Sequence, residues 1–62
     1  MRKIEIEANE AFEEHKKAMP FDSWIYGPIR NAWHDEYGIL CIEYESGDWW
    51  HYKKSNNEIV WW

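Results

Sequence analysis

A chain of 62 residues has room for one domain, and a domain of that size buries only about 60% of the surface its unfolded chain exposes. Its formal charge of −5 argues against direct binding to nucleic acid, whose affinity rests on Lys and Arg neutralising phosphate, and against an anionic membrane surface. One cysteine, Cys41, excludes an internal disulfide, so the staple a small fold needs is left to its twelve Phe, Trp and Tyr residues, a metal, or a partner chain.

The N-terminal stretch carries two conflicting signals. "KIEIE" alternates apolar and charged residues, the period of a strand. Ile4, Ala8, Ala11 or Phe12, His15 and Met19 follow helical spacing instead. The preferred reading is a short strand at 2–7 and then a helix with Asn9 as N-cap. A single helix over 3–18 is the second reading. Early Glu10, Glu13 and Glu14 and late Lys16 and Lys17 suit the helix dipole, and Glu13 and Lys17 form an i,i+4 pair. Pro20 disfavours helical geometry at Met19 and ends the helix. Its apolar stripe is Ala8, Ala11, Phe12, His15 and Met19, with His15 expected as a satisfied core or boundary residue.

After Pro20 the helical period disappears. "FDSWIYGPIRNAWH" is aromatic and β-branched, and Pro28 places its strand at an edge or after residue 28. "ILCIEYE", "DWWHYKK" and "EIVWW" read as strands, with turns at "HDEYG", "SG" and "SNN". Short connections predict antiparallel neighbours. The expected fold class is therefore α+β: one N-terminal helix on an antiparallel meander of three to four strands, as a single domain over 1–62.

Register can be read from side-chain sorting, because a one-residue slip exchanges the faces of a strand. A three-residue loop Glu45-Ser46-Gly47, with Gly47 in the left-handed bulge position, sets Ile42 opposite Trp50, Leu40 opposite Tyr52, Cys41 opposite His51 and Glu43 opposite Trp49. Leu40, Ile42, Tyr44, Trp50 and Tyr52 then share an inner face. A four-residue loop Asp35–Gly38 sets Trp33 opposite Leu40, Ile29 opposite Tyr44 and Arg30 opposite Glu43. For the last hairpin, a two-residue Asn56-Asn57 loop puts Trp61 inside and Trp62 outside, and a three-residue loop reverses them.

The outer face is the candidate binding surface: Trp49, Glu43 and His51, one of Trp61 and Trp62, and the acidic residues Asp48 and Glu45 nearby. Exposed aromatic patches mark interfaces, and Trp is a preferred hot-spot residue. Cys41 beside His51, with His34 one strand over, has the makings of a metal half-site or a nucleophile–base pair. The ordinary reading, a small buried thiol beside a surface imidazole, is preferred. No oxyanion motif or orienting third residue supports catalysis. The carboxylates Asp35, Glu36, Glu43, Glu45, Asp48 and Glu58 read as solvated charge or as an acidic surface complementary to a basic protein groove.

Residues 1–31 hold five Lys/Arg and six Asp/Glu, and residues 32–62 hold two and six, so the halves carry −1 and −4. The acidic half is the aromatic half. "IEIEANEAFEE" after Met1-Arg2-Lys3 is no signal peptide, and no run approaches the roughly 20 apolar residues of a membrane span. A soluble, cytoplasmic chain is expected, with no catalytic residues, metal or cofactor. Small size, acidity and aromatic density resemble the general style of phage-encoded inhibitors, including acidic nucleic-acid mimics; no alignable motif carries this, so it assigns no residues. Residues 39–52, a strand, an "SG" turn and an aromatic strand, resemble the hairpin of KTSC-type small domains. The leading expectation is a non-enzymatic viral-type inhibitor or modulator that binds another protein, one with a basic surface, through its acidic, Trp-rich sheet face. The alternative is a homo-oligomer that stacks a small planar ligand or nucleotide in aromatic pockets between subunits.

Overall fold

The computed structural model describes residues 3–19 and 23–62. Helix α1 (Lys3–Ala18) is followed by β1 (Ile29–His34), β2 (Leu40–Tyr44), β3 (Trp49–Ser55) and β4 (Glu58–Trp61). The strands form one antiparallel sheet in the order β1-β2-β3-β4, and α1 packs on one of its faces. This is the expected α+β meander.

The extra strand at 2–7 is not formed. From Lys3 onward this stretch is the start of α1. Glu, Lys and Ala are strong helix formers, and the helical reading puts Ile4, Ala8, Ala11, Phe12 and His15 on one face. Only Ile6 is sacrificed, at 52% exposure. Asn9 is consequently an exposed mid-helix residue and not a cap. The Glu13–Lys17 pair gives way to Lys17 Nζ against Glu14 Oε1 at 3.6 Å. Glu5 lies in the first turn, and His15, Lys16 and Lys17 lie in the last, as the helix dipole favours. The Met19 amide donates to the Lys16 carbonyl at 3.1 Å, a tightened final turn. The helix stops at Ala18; Pro20, expected to stop it, lies outside the described residues.

The hairpin between β2 and β3 has the expected register: Leu40↔Tyr52, Cys41↔His51, Ile42↔Trp50 and Glu43↔Trp49. Gly47, at φ 94°, takes the left-handed position that closes the three-residue loop. The last hairpin turns on two residues, Asn56 (φ 51°) and Asn57 (φ 66°), the paired positive φ of a type I′ turn. Tyr52 therefore faces Trp61, and Trp61 goes to the helix side while Trp62 goes to the other.

The first hairpin differs. His34, not Trp33, faces Leu40, and Trp33 faces Cys41. The Asp35 amide donates to the Ile39 carbonyl and the Gly38 amide to the Asp35 carbonyl, so the loop is Glu36-Tyr37-Gly38. This is one residue shorter than expected and built like the next one. A bulge between Ile29 and Asn31 then restores the expected pairing of Ile29 with Tyr44. Asn31 replaces Arg30 as the backbone partner of Glu43, yet the Arg30–Glu43 ion pair still forms at 3.7 Å.

The core lies between α1 and the sheet. Ala8, Ala11, Leu40, Ile42, Tyr44 and Tyr52 are buried, with Phe12, Trp24, Tyr26, Trp50 and Trp61 packed around them. Two alanines on the helix leave space for aromatic rings from the sheet and from residues 24–28. Trp24 sits 5.0 Å from Tyr44 and 5.3 Å from Phe12, and Tyr26 sits 4.7 Å from Trp50, ring centroid to centroid. Such pairs add about 0.5–1.5 kcal/mol each beyond area burial. The Tyr26 and Pro28 carbonyls accept from the Ser46 and Glu45 amides and hold this segment in place.

His15 is at the centre, 5% exposed. It stacks on Trp61 at 4.4 Å and meets Trp24 and Trp50 edge-on at 4.9 and 5.1 Å. Its Nδ1 lies 2.7 Å from the Tyr52 hydroxyl, which lies 2.7 Å from the Tyr44 hydroxyl. Desolvation lowers the His15 pKa and raises those of both tyrosines, so all three stay neutral. With Nδ1 unprotonated, the order Tyr44 to Tyr52 to Nδ1 is the one that gives both hydroxyl protons an acceptor within this chain of groups. This is the satisfied core histidine expected from the helical stripe.

Candidate binding face

Alternation along the strands exposes a second set of side chains on the face away from α1. Trp33 of β1, Cys41 and Glu43 of β2, Trp49 and His51 of β3, and Trp62 after β4 all point there. The rings form a continuous strip. Trp33 lies 5.7 Å from Trp49, Trp49 lies 5.0 Å from His51, and His51 stacks on Trp62 at 5.1 Å with only 5° between planes. The Trp33–Trp49 contact spans β2, and Cys41, whose row neighbours are Trp33 and His51, is only 1% exposed.

The strip is wet. Trp49 is 50% and Trp62 56% exposed, and Val60, at 43%, lies on the same face opposite Lys53. The helix and residues 24–28 pack on the opposite face, and among the described residues none is layered over this one. Trp62 is held by two backbone hydrogen bonds with His51, at 3.1 and 3.2 Å. These bonds extend the β3–β4 ladder to the last residue and fix the ring where it stacks.

Of the expected binding residues, Trp49, His51, Trp62 and Glu43 come together on this face. Trp61 does not: the two-residue turn sends it into the core against His15. Glu45 sits on the exposed Glu45–Gly47 turn at the margin and Asp48 directly after it, where Ser46 Oγ donates to Asp48 at 2.8 Å. Acidity is therefore a property of the rim. Glu36, Glu45, Asp48 and Glu58 are exposed at the turns, while Glu43 on the face is matched by Arg30.

Two residues of this surface were not anticipated there. Trp33 arrives through the one-residue shift of β1. Asp35 arrives with it. Its Oδ1 accepts from the Tyr37 and Ile39 amides, both at 2.9 Å, and its carboxylate lies beside Cys41 and His51, with one donor atom of each within 4.8 Å of the others. The signal was present in the sequence: an Asp three positions before a Gly opens the same loop geometry as the next turn. His34, expected to join Cys41 and His51, faces the helix instead and contacts Glu7 Oε2 at 3.1 Å. Burial first, and the Asp35 charge second, push the Cys41 thiol up from its ordinary value. A protonated thiol is the reverse of what a nucleophilic cysteine requires.

Open clefts of about 260 and 440 Å³ flank the helix, the first lined in part by Glu7, Glu10, Lys54 and Ile59, the second by Glu14, Lys17 and Glu58. Neither includes a residue of the aromatic strip. Among the described residues, no helix is long and apolar enough to cross a membrane. Compared with protein-family models, with curated proteins and with solved structures, the chain matches none.

Proposed function

We propose that this protein is a non-enzymatic interaction module, an inhibitor or modulator that binds another protein through the outer face of its sheet. The observation that carries this reading is the strip Trp33–Trp49–His51–Trp62, which spans the sheet with Trp49 of β3 and Trp62 after β4 half exposed. Rigid aromatic groups on a sheet lose little conformational entropy on binding and supply the residues most enriched among hot spots. The rim supports a partner with an apolar centre and basic surroundings, since Glu36, Glu45, Asp48 and Glu58 would meet Lys and Arg there. The same rim disfavours a second copy of this chain, because two copies face to face would oppose like charges at a net charge of −5 each. The raised thiol pKa and the absence of a hydrogen bond between Cys41 and His51 among the described residues support a non-enzymatic role.

The test compares immobilised wild type with a Trp49→Ala/Trp62→Ala variant in lysate of the native host at low and high salt. Retained proteins are identified by mass spectrometry, and the leading one is purified for titration. One or more proteins should be held by wild type, released by salt, and lost in the variant while circular dichroism stays unchanged. Equal retention by both proteins sinks the proposal, as does a wild type whose mass by light scattering is already that of a closed dimer buried through these tryptophans.

A further inference from the structure

We infer that Asp35, Cys41 and His51 form a binding site for a zinc-class divalent cation on the outer face of the sheet. The three residues come from separate segments: the loop residue directly after β1, strand β2 and strand β3. The sheet brings together one thiol, one imidazole and one carboxylate, with donor atoms all within 4.8 Å of one another. Zinc takes Cys sulfur at about 2.3 Å, His nitrogen at about 2.0–2.1 Å and carboxylate oxygen at about 2.0–2.2 Å. A tetrahedral array with those bonds sets its donors about 3.3–3.7 Å apart. Closing the present cluster onto an ion therefore asks for about 1 Å of side-chain movement.

The donors lie together without bonding to one another. The Cys41 sulfur has one long contact, 3.6 Å to the Ile39 carbonyl. Among the described residues, the His51 ring nitrogens make no hydrogen bond, and neither does the second carboxylate oxygen of Asp35. A buried thiol, an imidazole and a carboxylate in one place with no mutual hydrogen bond form a set that a cation would satisfy at once. Each donor is also aimed before any ion arrives. Asp35 is anchored through Oδ1 by two backbone amides, Cys41 and His51 are direct cross-strand partners, and the His51 ring is clamped against Trp62. Ligands on paired strands hold their geometry better than ligands on loops.

The donor types select the ion. A sulfur–nitrogen–oxygen set suits zinc and its transition-metal neighbours, and not magnesium or calcium, which take oxygen. Three protein ligands leave a fourth position for water or for a donor from outside the chain. This inference does not depend on the docking role of the tryptophans, since none of the three donors belongs to one, and the two fail separately: one is read by partner capture and the other by metal titration.

Cobalt(II) is the probe, added to tag-free full-length protein that has been treated with chelator and kept reduced. A thiolate-to-cobalt charge-transfer band with the visible bands of tetrahedral cobalt should saturate at one ion per chain and be displaced by zinc. Cys41→Ser should abolish the charge-transfer band. Asp35→Asn keeps the oxygen that caps the Tyr37 and Ile39 amides, and His51→Gln keeps a polar side chain at a half-buried position. Each should weaken the ion by about tenfold or more, no less than the loss of an outer-shell partner costs. Ile6→Ala, at an exposed position of α1, should leave the titration as it is. No charge-transfer band in the wild type overturns the site, and so does a band that either Asp35→Asn or His51→Gln leaves at wild-type affinity. Those two variants decide the question even if Cys41→Ser does not fold.

Discussion

Titrating the protein from neutral to mildly acidic pH should remove stability through one imidazole, that of His15. In the unfolded chain this group takes up a proton near its ordinary value of 6.5. In the fold, burial holds it below that value, and among the described residues no carboxylate lies within ion-pairing distance of it. The facing titratable groups are Tyr52 and Tyr26, with Tyr44 behind Tyr52. A pKa lowered by folding means that the unfolded state binds more protons between the two values. Stability is therefore full above 6.5 and falls as the pH drops below it, until the folded imidazole is itself protonated. The slope for one proton reaches about 1.4 kcal/mol per pH unit. A domain of this length has roughly 3–9 kcal/mol in all, so one unit at full slope is a large share. Geometry adds to the effect. Protonated Nδ1 must donate to Tyr52, which must then donate to Tyr44. Tyr52 then cannot accept from the Tyr44 hydroxyl, whose side chain is 0% exposed. The assay is urea denaturation followed by circular dichroism across this range for wild type and His15→Gln. The carboxylates titrate in both, so their contribution cancels in the difference. The stability difference should be flat above 6.5 and shift against the wild type below it. A difference that stays flat through that range, or an acid shift in favour of the wild type, would refute the desolvation argument.

Other expectations follow from burial and turn geometry. Ile42→Ala, at a position 0% exposed, should cost about 2–5 kcal/mol by the measured range for such truncations, whereas Ile6→Ala, at 52% exposure, should stay within about 0.5 kcal/mol; thermal melts of the two variants check the contrast. Gly47→Ala places a Cβ in open space but at φ 94°, so its cost should be conformational alone, about 1–2 kcal/mol, visible as a lower urea midpoint with an unchanged slope. Trp62→Ala, which loses one aromatic contact, should cost about 1 kcal/mol, and Trp49→Ala, which loses two, about 1–3 kcal/mol, so a variant that fails in partner capture will still melt as a folded domain in calorimetry.

The fold was legible where two independent signals agreed. The β2–β3 hairpin had both hydrophobic sorting and a Gly suited to the left-handed bulge position, and its register came out as read. The last hairpin had only turn chemistry to decide between two loops, and Asn at both central positions resolved it in favour of the two-residue turn. The N-terminal stretch set two periods against each other, and the preferred one lost. "KIEIE" has strand alternation over only five residues, while the helical stripe persists from Ile4 to His15. A strand there would also have cut the helix short and given up the burial of Ala8 at its start.

The shift in β1 shows why the candidate site was the less legible part. Sorting apolar from polar residues cannot choose between Trp33 and His34 for the core side, because this protein puts aromatic groups on both faces of its sheet. Hydrophobicity alone made Trp33 the better partner for Leu40, and that choice demanded a four-residue loop. Loop chemistry pointed the other way. Gly38 stands at the third loop position after Asp35, as Gly47 does after Tyr44, and both carry positive φ. Applying to "HDEYG" the rule that succeeded on "ESGD" would have shortened the loop by one residue and turned Trp33 outward, with His34 directed at the helix. The change would then clash with the pairing of Ile29 and Tyr44, which both registers require at the far end. A single extra residue resolves the clash, and the bulge between Ile29 and Asn31 is that residue. One inserted residue therefore lets β1 serve the core through Ile29 and the outer face through Trp33. It completes the aromatic strip and sets Asp35 beside Cys41 and His51, so the features that make this surface a candidate for function depend on a local irregularity that pairwise sorting of side chains does not register.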